Sequence, residues 1–550
     1  MNHGLYFCAS HLRKPIGAGL VPALLFLALC LLSLPAARAD TPGVASMPDA
    51  LFAVGKYEPA RAGYTAAALA APRDPAPHIG LVRSLLRLDH WADAVTEARA
   101  AAVQFPQNAD LHGLFALALI RAGWQPPCVD EAKQSLTLDA NDYWGLVASG
   151  RLADWDGKED EARTDFRKAA TAQPALPDAW LGLLNTLDDE KDAAEKESAA
   201  NTYLKLAPTG HPHDREAGDL REYLTHADAY KKAFGASPPF SRPPGTAAPG
   251  AAADKTTTVS VEFVRDYAVF PVLINDKKFR LLFDTGAEGV TLAKNPVKRL
   301  GLTPLAHTFI AGVGGREPSD TLRADTLTLG DRKYQSIVVR SMRDTPAGTD
   351  GLLGGTVLDD SVVTLSYADA TATLTHGPQA AAPPPLPGDA VVIVPFRSYG
   401  SHLFVHLALN TVPLWAMLDT GAEDTILSLR LAKEQFQSVS KEQFRTGTYK
   451  GRLGIGGDTR MDYIYSENES DITLGRSPLI TISTKTIGAS LMDRYVSPVF
   501  DFEIGMLLGT STFTSAKRVT FDYPHHLMTF EYVIPPPEPT PAEKPEKKRK

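Results

Sequence analysis

Cysteine is almost missing from this chain: Cys8, Cys30 and Cys128 are the only three in 550 residues. The first two fall in a segment expected to be removed, which leaves one thiol and excludes an internal disulfide framework. A surplus of basic charge is missing too. Lys and Arg number 56 against 64 Asp and Glu, a net of −8. The basic residues are scattered except at the extreme C-terminus, so no nucleic-acid partner is expected. Beyond the first few dozen residues no stretch is apolar enough to cross a membrane. Neither Gly-x-Ser-x-Gly nor His-Glu-x-x-His occurs, which removes the common serine-hydrolase and zinc-protease readings. His211 and His213 have no second donor cluster, and His525 and His526 would point to opposite faces of a strand turn. No metal and no cofactor is expected.

What is present begins with Met1–Ala39: Arg13 and Lys14, an apolar run from about Leu20 to Leu34, then Ala37-Arg38-Ala39. Positive flank, short apolar core and Ala-x-Ala end read as a secretory signal cleaved after Ala39. Leu29 stands before Cys30 where a lipid-attachment site wants a small residue. The expectation is an exported protein, bacterial and periplasmic or secreted, with no stable membrane insertion after cleavage.

Residues 40–235 are rich in Ala and Leu at helical spacing. Pro72, Pro106, Pro174 and Pro208 lie on a 34-residue grid, with Ala140 in the one missing slot. Twelve residues before the first four grid points stand Ala60, Ala94, Cys128 and Ala162. This resembles the tetratricopeptide repeat, in which a small residue lets two helices approach and Pro ends the second. The expected repeats are 41–74, 75–108, 109–142, 143–176 and 177–210, with a capping helix over roughly 214–235. The resemblance implies a groove for a protein partner; a spacer or folding support is the other reading. Residues 236–256 read as a flexible linker.

From 257 onward Val, Ile, Leu, Phe and Thr alternate with polar residues, an antiparallel β pattern. Two blocks align, 257–376 and 390–535, joined by a Pro-rich linker at 377–389 and followed by a disordered basic tail at 536–550. Each holds Asp-Thr-Gly-Ala-Glu after an apolar run, at Asp284–Glu288 and Asp419–Glu423. A lone Asp-Thr-Gly arises by chance in roughly one chain in ten of this length; two extended copies do not. In each block a turn (Asn275-Asp276, Asn410-Thr411) comes nine residues before the Asp. A hairpin tip follows, Gly312-Val313-Gly314-Gly315 or Gly454-Ile455-Gly456-Gly457, then Leu352-Leu353-Gly354 or Leu507-Leu508-Gly509.

Each block resembles a retropepsin-like aspartic protease subunit, and the chain as a whole an all-α repeat solenoid followed by two all-β lobes forming a pseudo-dimer. The resemblance implies a polypeptide substrate and Asp284 and Asp419 as the catalytic pair. Thr285 and Thr420 would lock the two loops together, and Gly286, Ala287, Gly421 and Ala422 would support them. The two glycine-rich tips would be flaps. In the retroviral enzymes an Arg after the apolar-Gly pair meets the acidic residue after Ala. Gly355 and Thr510 stand there, so Glu288 and Glu423, candidate substrate-binding residues, are expected to lack that partner. Two carboxyls close together in a dry cleft cannot both ionise, which is what lets one act as acid and the other as base. The alternatives are a degenerate protease fold used as a non-catalytic scaffold, and a site completed only between chains.

Overall fold

The computed structural model describes residues 47–187 apart from position 124, then 192–207, a few positions between 220 and 247, and most of 255–533. The larger gaps in that last stretch are 432–461, 475–480 and 491–496. The expectations for 1–39, for most of the capping helix and linker, for Gly454–Gly457 and for 536–550 lie outside the described residues.

The N-terminal region consists of helical repeats. Among the described residues it holds five helix pairs: α1 (Met47–Ala53) with α2 (Tyr57–Ala70), α3 (Pro75–Arg87) with α4 (Trp91–Gln104), α5 (Ala109–Arg121) with α6 (Cys128–Leu138), α7 (Tyr143–Trp155) with α8 (Glu159–Ala172), and α9 (Pro177–Thr186) with α10 (Ala193–Leu206). Each second helix ends two residues before a grid position, and at all but Ala140 a Pro stands there to forbid its continuation. Three of the first helices start on caps: the carboxyl of Asp74 accepts from the Ala76 amide, Asn108 from Leu111, and Asp142 from Gly145. Ala60, Ala94, Cys128 and Ala162 are all buried, as close helix packing requires. Burial pushes the Cys128 thiol up to about 11, the behaviour of an inert packing residue.

The C-terminal region is β-rich. Lobe 1 contains β2 (Lys255–Ser260), β3 (Glu262–Val264), β4 (Tyr267–Ile274), β5 (Lys277–Asp284), β6 (Val290–Ala293), β7 (Pro304–Gly312), β8 (Gly315–Leu329), β9 (Arg332–Met342), β10 (Gly351–Gly354), β11 (Ser361–Ser366) and β12 (Thr371–His376). Lobe 2 contains β13 (Asp389–Tyr399), β14 (His402–Leu409), β15 (Val412–Leu418), β16 (Ile426–Ser428), β17 (Asp462–Leu474), β18 (Thr481–Ser490), β19 (Met506–Leu508), β20 (Arg518–Asp522) and β21 (Leu527–Val533). Lobe 1 begins two residues before the expected 257. In the expected linker the short β1 (Thr246–Ala247) pairs with β9.

Strand pairing relates the lobes more closely than composition does. In lobe 1, β5 pairs antiparallel with β4 and parallel with β10, β10 pairs antiparallel with β6, and β6 pairs parallel with β9. In lobe 2, β15 stands in the same relation to β14 and β19, β19 to β16, and β16 to β18. Two further pairs, β4–β8 and β8–β9, are matched by β14–β17 and β17–β18. The antiparallel expectation holds for most pairs and is corrected for β5–β10, β6–β9, β15–β19 and β16–β18, which are parallel. Alternation reports which face a side chain takes, not the sense of the neighbouring strand. Asn275 and Asp276, both at positive φ, make the two-residue turn from β4 to β5, the conformation such hairpins select Asn and Asp for.

Between the lobes the sheet runs β2-β12-β11-β20-β21-β13. Each lobe contributes its first strand and its closing hairpin in mirrored order, and β11 pairs with β20 at the centre. There Thr364 faces Thr520, with their hydroxyls 3.0 Å apart. The ladder satisfies the backbone groups of both lobes across the join and holds the lobes in one body.

The helical array packs directly on lobe 2. The ring of Trp155, at the end of α7, lies 5.2 Å from that of Trp415, 5.4 Å from Phe404 and 5.8 Å from Phe502. Arg397 reaches Asp156 at 2.9 Å, and the amide of Glu503 donates to the Arg121 carbonyl at 2.7 Å. Trp155→Ala is expected to cost about 3 kcal/mol in urea unfolding followed by far-ultraviolet circular dichroism, the usual result of emptying a buried aromatic site. A loss under about 1 kcal/mol would mean this junction is open in solution.

Candidate active site

The parallel pairing of β10 with β5 sets Gly354 beside Asp284 at the end of the strand. In lobe 2, Asp419 follows β15 directly and its amide donates to the Leu508 carbonyl at 3.1 Å. Both chains then turn at once: Ala287 N–H donates to Asp284 O and Ala422 N–H to Asp419 O, each at 3.2 Å. The apolar runs before each Asp fill the core, so only the turn is left to present a carboxyl at the seam.

Four hydrogen bonds interlock the turns. Thr285 Oγ1 donates to the Leu418 carbonyl at 2.9 Å and accepts from Thr420 N–H at 3.1 Å. Thr420 Oγ1 donates to the Phe283 carbonyl at 2.8 Å and accepts from Thr285 N–H at 3.0 Å. Both threonines are buried. Each hydroxyl thus ties the loop of one lobe to the strand of the other.

This clasp brings Asp284 and Asp419 together. Gly286 N–H donates to Asp284 Oδ1 and Gly421 N–H to Asp419 Oδ1, each at 2.8 Å. A Cβ on Gly421 would fall 2.4 Å from the Asp284 carboxyl carbon, and one on Gly286 2.7 Å from that of Asp419. Glycine is required because each carboxyl occupies the place where the other lobe's side chain would begin. Burial and the neighbouring Asp419 charge hold Asp284 well above the ordinary carboxylate range; burial also raises Asp419. The pair therefore retains a proton under conditions where a lone Asp has lost it.

Two residues at the site carry no signal in the sequence. His402, at the start of β14, donates from Nε2 to the Gly286 carbonyl across the lobes at 3.0 Å, and its ring meets Phe500 edge-on at 4.6 Å. Its counterpart the same distance before the other Asp is Tyr267, so the two halves of the site are chemically unequal. Arg265 Nη1 donates to Glu423 Oε2 at 3.1 Å. Glu423 takes its cation from the other lobe instead of from an Arg in the apolar-Gly segment. Glu288 is exposed and lies close enough to favour protonation of His402. Where the missing Arg would stand in lobe 2, Thr510 donates to the Ala422 carbonyl; in lobe 1, Thr356, next to Gly355, accepts at Oγ1 from Gly289 N–H. In lobe 1, pairing of the candidate flap extends to Gly312 and Gly315; Val313 and Gly314 lie outside the described residues, as do Gly454–Gly457.

Burial lowers the His402 pKa, with Glu288, the Gly286 carbonyl and Asp419 opposing that shift. Where the imidazole is charged it favours the Asp419 carboxylate. His402→Gln keeps an N–H for Gly286 and removes the charge, so the acid limb of a rate–pH profile is expected to move to higher pH. The alkaline limb, where His402 is already neutral, should stay. Superimposable profiles would assign His402 to packing alone.

The aspartyl protease family model matches residues 270–357, which hold Asp284 and the β10 segment. The match lies within lobe 1 and does not reach lobe 2, whose likeness to lobe 1 is that of the strand pairing described above. Among solved structures, the chain is similar to a thermophilic TPR protein from Thermus thermophilus, 18% identical over 32% of this chain and 94% of that one, TM-score 0.27. It is also similar to a retropepsin-like aspartic protease from Rickettsia conorii, 18% identical over 22% of this chain and 94% of that one, TM-score 0.19. No curated protein matches the chain.

Proposed function

We propose that the chain is an exported aspartic endopeptidase whose dyad, Asp284 with Asp419, forms within one polypeptide, and whose helical array recruits a protein substrate or partner. The observation that carries this reading is the four-bond clasp between Thr285 and Thr420, which joins two Asp loops of the same chain. Asp284, the more deeply buried, keeps the shared proton and donates it toward the substrate carbonyl oxygen. Asp419 is the ionised member and takes a proton from the attacking water as its oxygen bonds to the carbonyl carbon. The proton taken by Asp419 then passes to the amide nitrogen as the C–N bond breaks, and Asp284 recovers its proton from the collapsing diol. Water exclusion by the candidate flaps would strengthen each of these charge interactions. Export rests on Met1–Ala39 and recruitment on the repeat pattern.

The test is digestion of an unstructured peptide library by the purified chain starting at Asp40, with the Asp419→Asn chain as control. Cleavage by the first and none by the second is the expected result. No cleavage and no thermal stabilisation by a statine-type inhibitor, from acid to neutral pH, would favour the non-catalytic scaffold.

A further inference from the structure

The face of lobe 2 that the array covers lies directly behind the Asp419 turn. In β15 and β19 alternate residues divide between two cores. Ala416, Leu418, Met506 and Leu508 belong to the core of the β region, while Met417 and Leu507, paired in register, join the apolar core of the array. The equivalent pair in lobe 1, Leu282 with Leu352, is covered by lobe 1 itself, through Tyr267, Ile310 and Met342. Four residues before each Asp the lobes differ in the same sense: Arg280 is exposed, whereas the Trp415 ring meets that of Trp155. Lobe 2 takes from the array a layer that lobe 1 builds for itself.

From Trp155 a run of touching rings leads to the dyad. Phe404 lies 5.4 Å from Trp155 and 5.7 Å from Phe500, and Phe500 meets His402 at 4.6 Å. His402 donates to the Gly286 carbonyl, and the Gly286 amide holds Asp284. Trp155, Phe404 and Phe500 are all buried. Tilted and edge-on contacts fix the plane of each ring as well as its place, and a close-packed interior passes a displacement on.

We propose that Trp155 of the helical array is a positioning residue of the active site, acting through Phe404 and Phe500 on the His402 imidazole and so on the Gly286 turn. The array is then a working layer of the protease half as well as a recruiting arm. The catalytic meaning of this inference rests on the peptidase reading; the ring contacts do not. Burial is the main influence holding the His402 pKa down, while Glu288, the Gly286 carbonyl and Asp419 oppose it. Trp155→Ala leaves those three groups in place and loosens the rings that shield the imidazole, so His402 should titrate at higher pH.

The experiment has two arms. In the first, nuclear magnetic resonance follows isotope-labelled histidines in the chain starting at Asp40, with the His402 signal identified by its loss in His402→Gln. The signal is expected to titrate at higher pH in Trp155→Ala than in the parent. In the second, kcat and KM are measured per active site, counted with a statine-type inhibitor, on a peptide just long enough to fill the cleft. Such a peptide gains nothing from a recruiting surface. Trp155→Ala is expected to lower kcat about tenfold at unchanged KM, a fraction of what a full 1 Å slip costs. In the His402→Gln background the same substitution should cost less than about threefold, because both changes act on one path. Trp155→Phe, which keeps a ring, should restore most of the rate and the parental titration. Trp155→Leu, read in the same way, takes over should Trp155→Ala fail to fold. An unmoved His402 titration overturns the proposal. So does an unchanged kcat, or an equal loss with and without His402. Cleavage by no chain, the parent included, would end the peptidase reading, while the titration still decides whether the array reaches His402.

Discussion

Asp284→Asn and Asp419→Asn are each expected to lower kcat by at least about a thousandfold, the range set by losing a positioned acid or base. An Asn at either position cannot share a proton, so neither the polarised carbonyl nor the activated water survives. The two losses should be nearly equal and not additive, because the pair acts as one unit. Stability should respond differently. Removing one of two carboxyls that burial and mutual repulsion disfavour relieves a cost, so either Asn chain should unfold at the same or higher urea concentration than the parent at neutral pH. The sign follows from the raised Asp284 pKa: stability from holding that proton is full below the unfolded-state value and is lost as pH rises through the folded one. Mixing the two Asn chains separates the internal dyad from one shared between molecules. In the β2-β12-β11-β20-β21-β13 ladder each chain supplies both halves of its own interface, so the mixture should stay inactive. Recovery of a substantial fraction of parental activity would move the site to an intermolecular interface.

The elements most legible in the sequence are those fixed by local rules. The 34-residue grid marks helix ends to within two residues because a helix cannot run on through a Pro beyond its first turn. Asp284 and Asp419 can be read because an apolar run, a turn residue and Gly form a short contiguous pattern. What cannot be read is what depends on contact between distant segments. The partner of Glu423 is Arg265, 158 residues away, and the imidazole that meets the Gly286 carbonyl belongs to His402, 116 residues away. Neither Arg265 nor His402 belongs to a motif; the only available hint is that His402 and Tyr267 stand at the same distance before their aspartates. The parallel strand pairs are hidden for a similar reason, since β10 reaches β5 only after the long hairpin between them. The docking of Trp155 on lobe 2 is equally invisible: at that position an aromatic residue serves a helix interior or an interface alike.

Thr285→Val is expected to separate the clasp from the rest of the interface. Valine fills nearly the same volume but leaves Leu418 C=O and Thr420 N–H without their partner in a buried setting. At roughly 1–3 kcal/mol for each orphaned group, the full chain should lose about 3 kcal/mol in urea unfolding. The catalytic loss should exceed what that destabilisation implies at a temperature where the variant remains folded. The clasp sets the approach of Gly286 to Asp419 and of Gly421 to Asp284, and a displacement of about 1 Å at a reacting group costs on the order of a hundredfold. Thr285→Ser retains the hydroxyl and gives up only a methyl, so it should cost about 1 kcal/mol and keep most of the activity. The Ser/Val contrast therefore reads hydrogen bonding rather than volume. If the Val chain, correctly folded, cleaves as fast as the Ser chain, the spacing of the carboxyls is set by the six-stranded ladder between the lobes. The Thr364–Thr520 pair at the centre of that ladder would then become the contact on which the dyad depends.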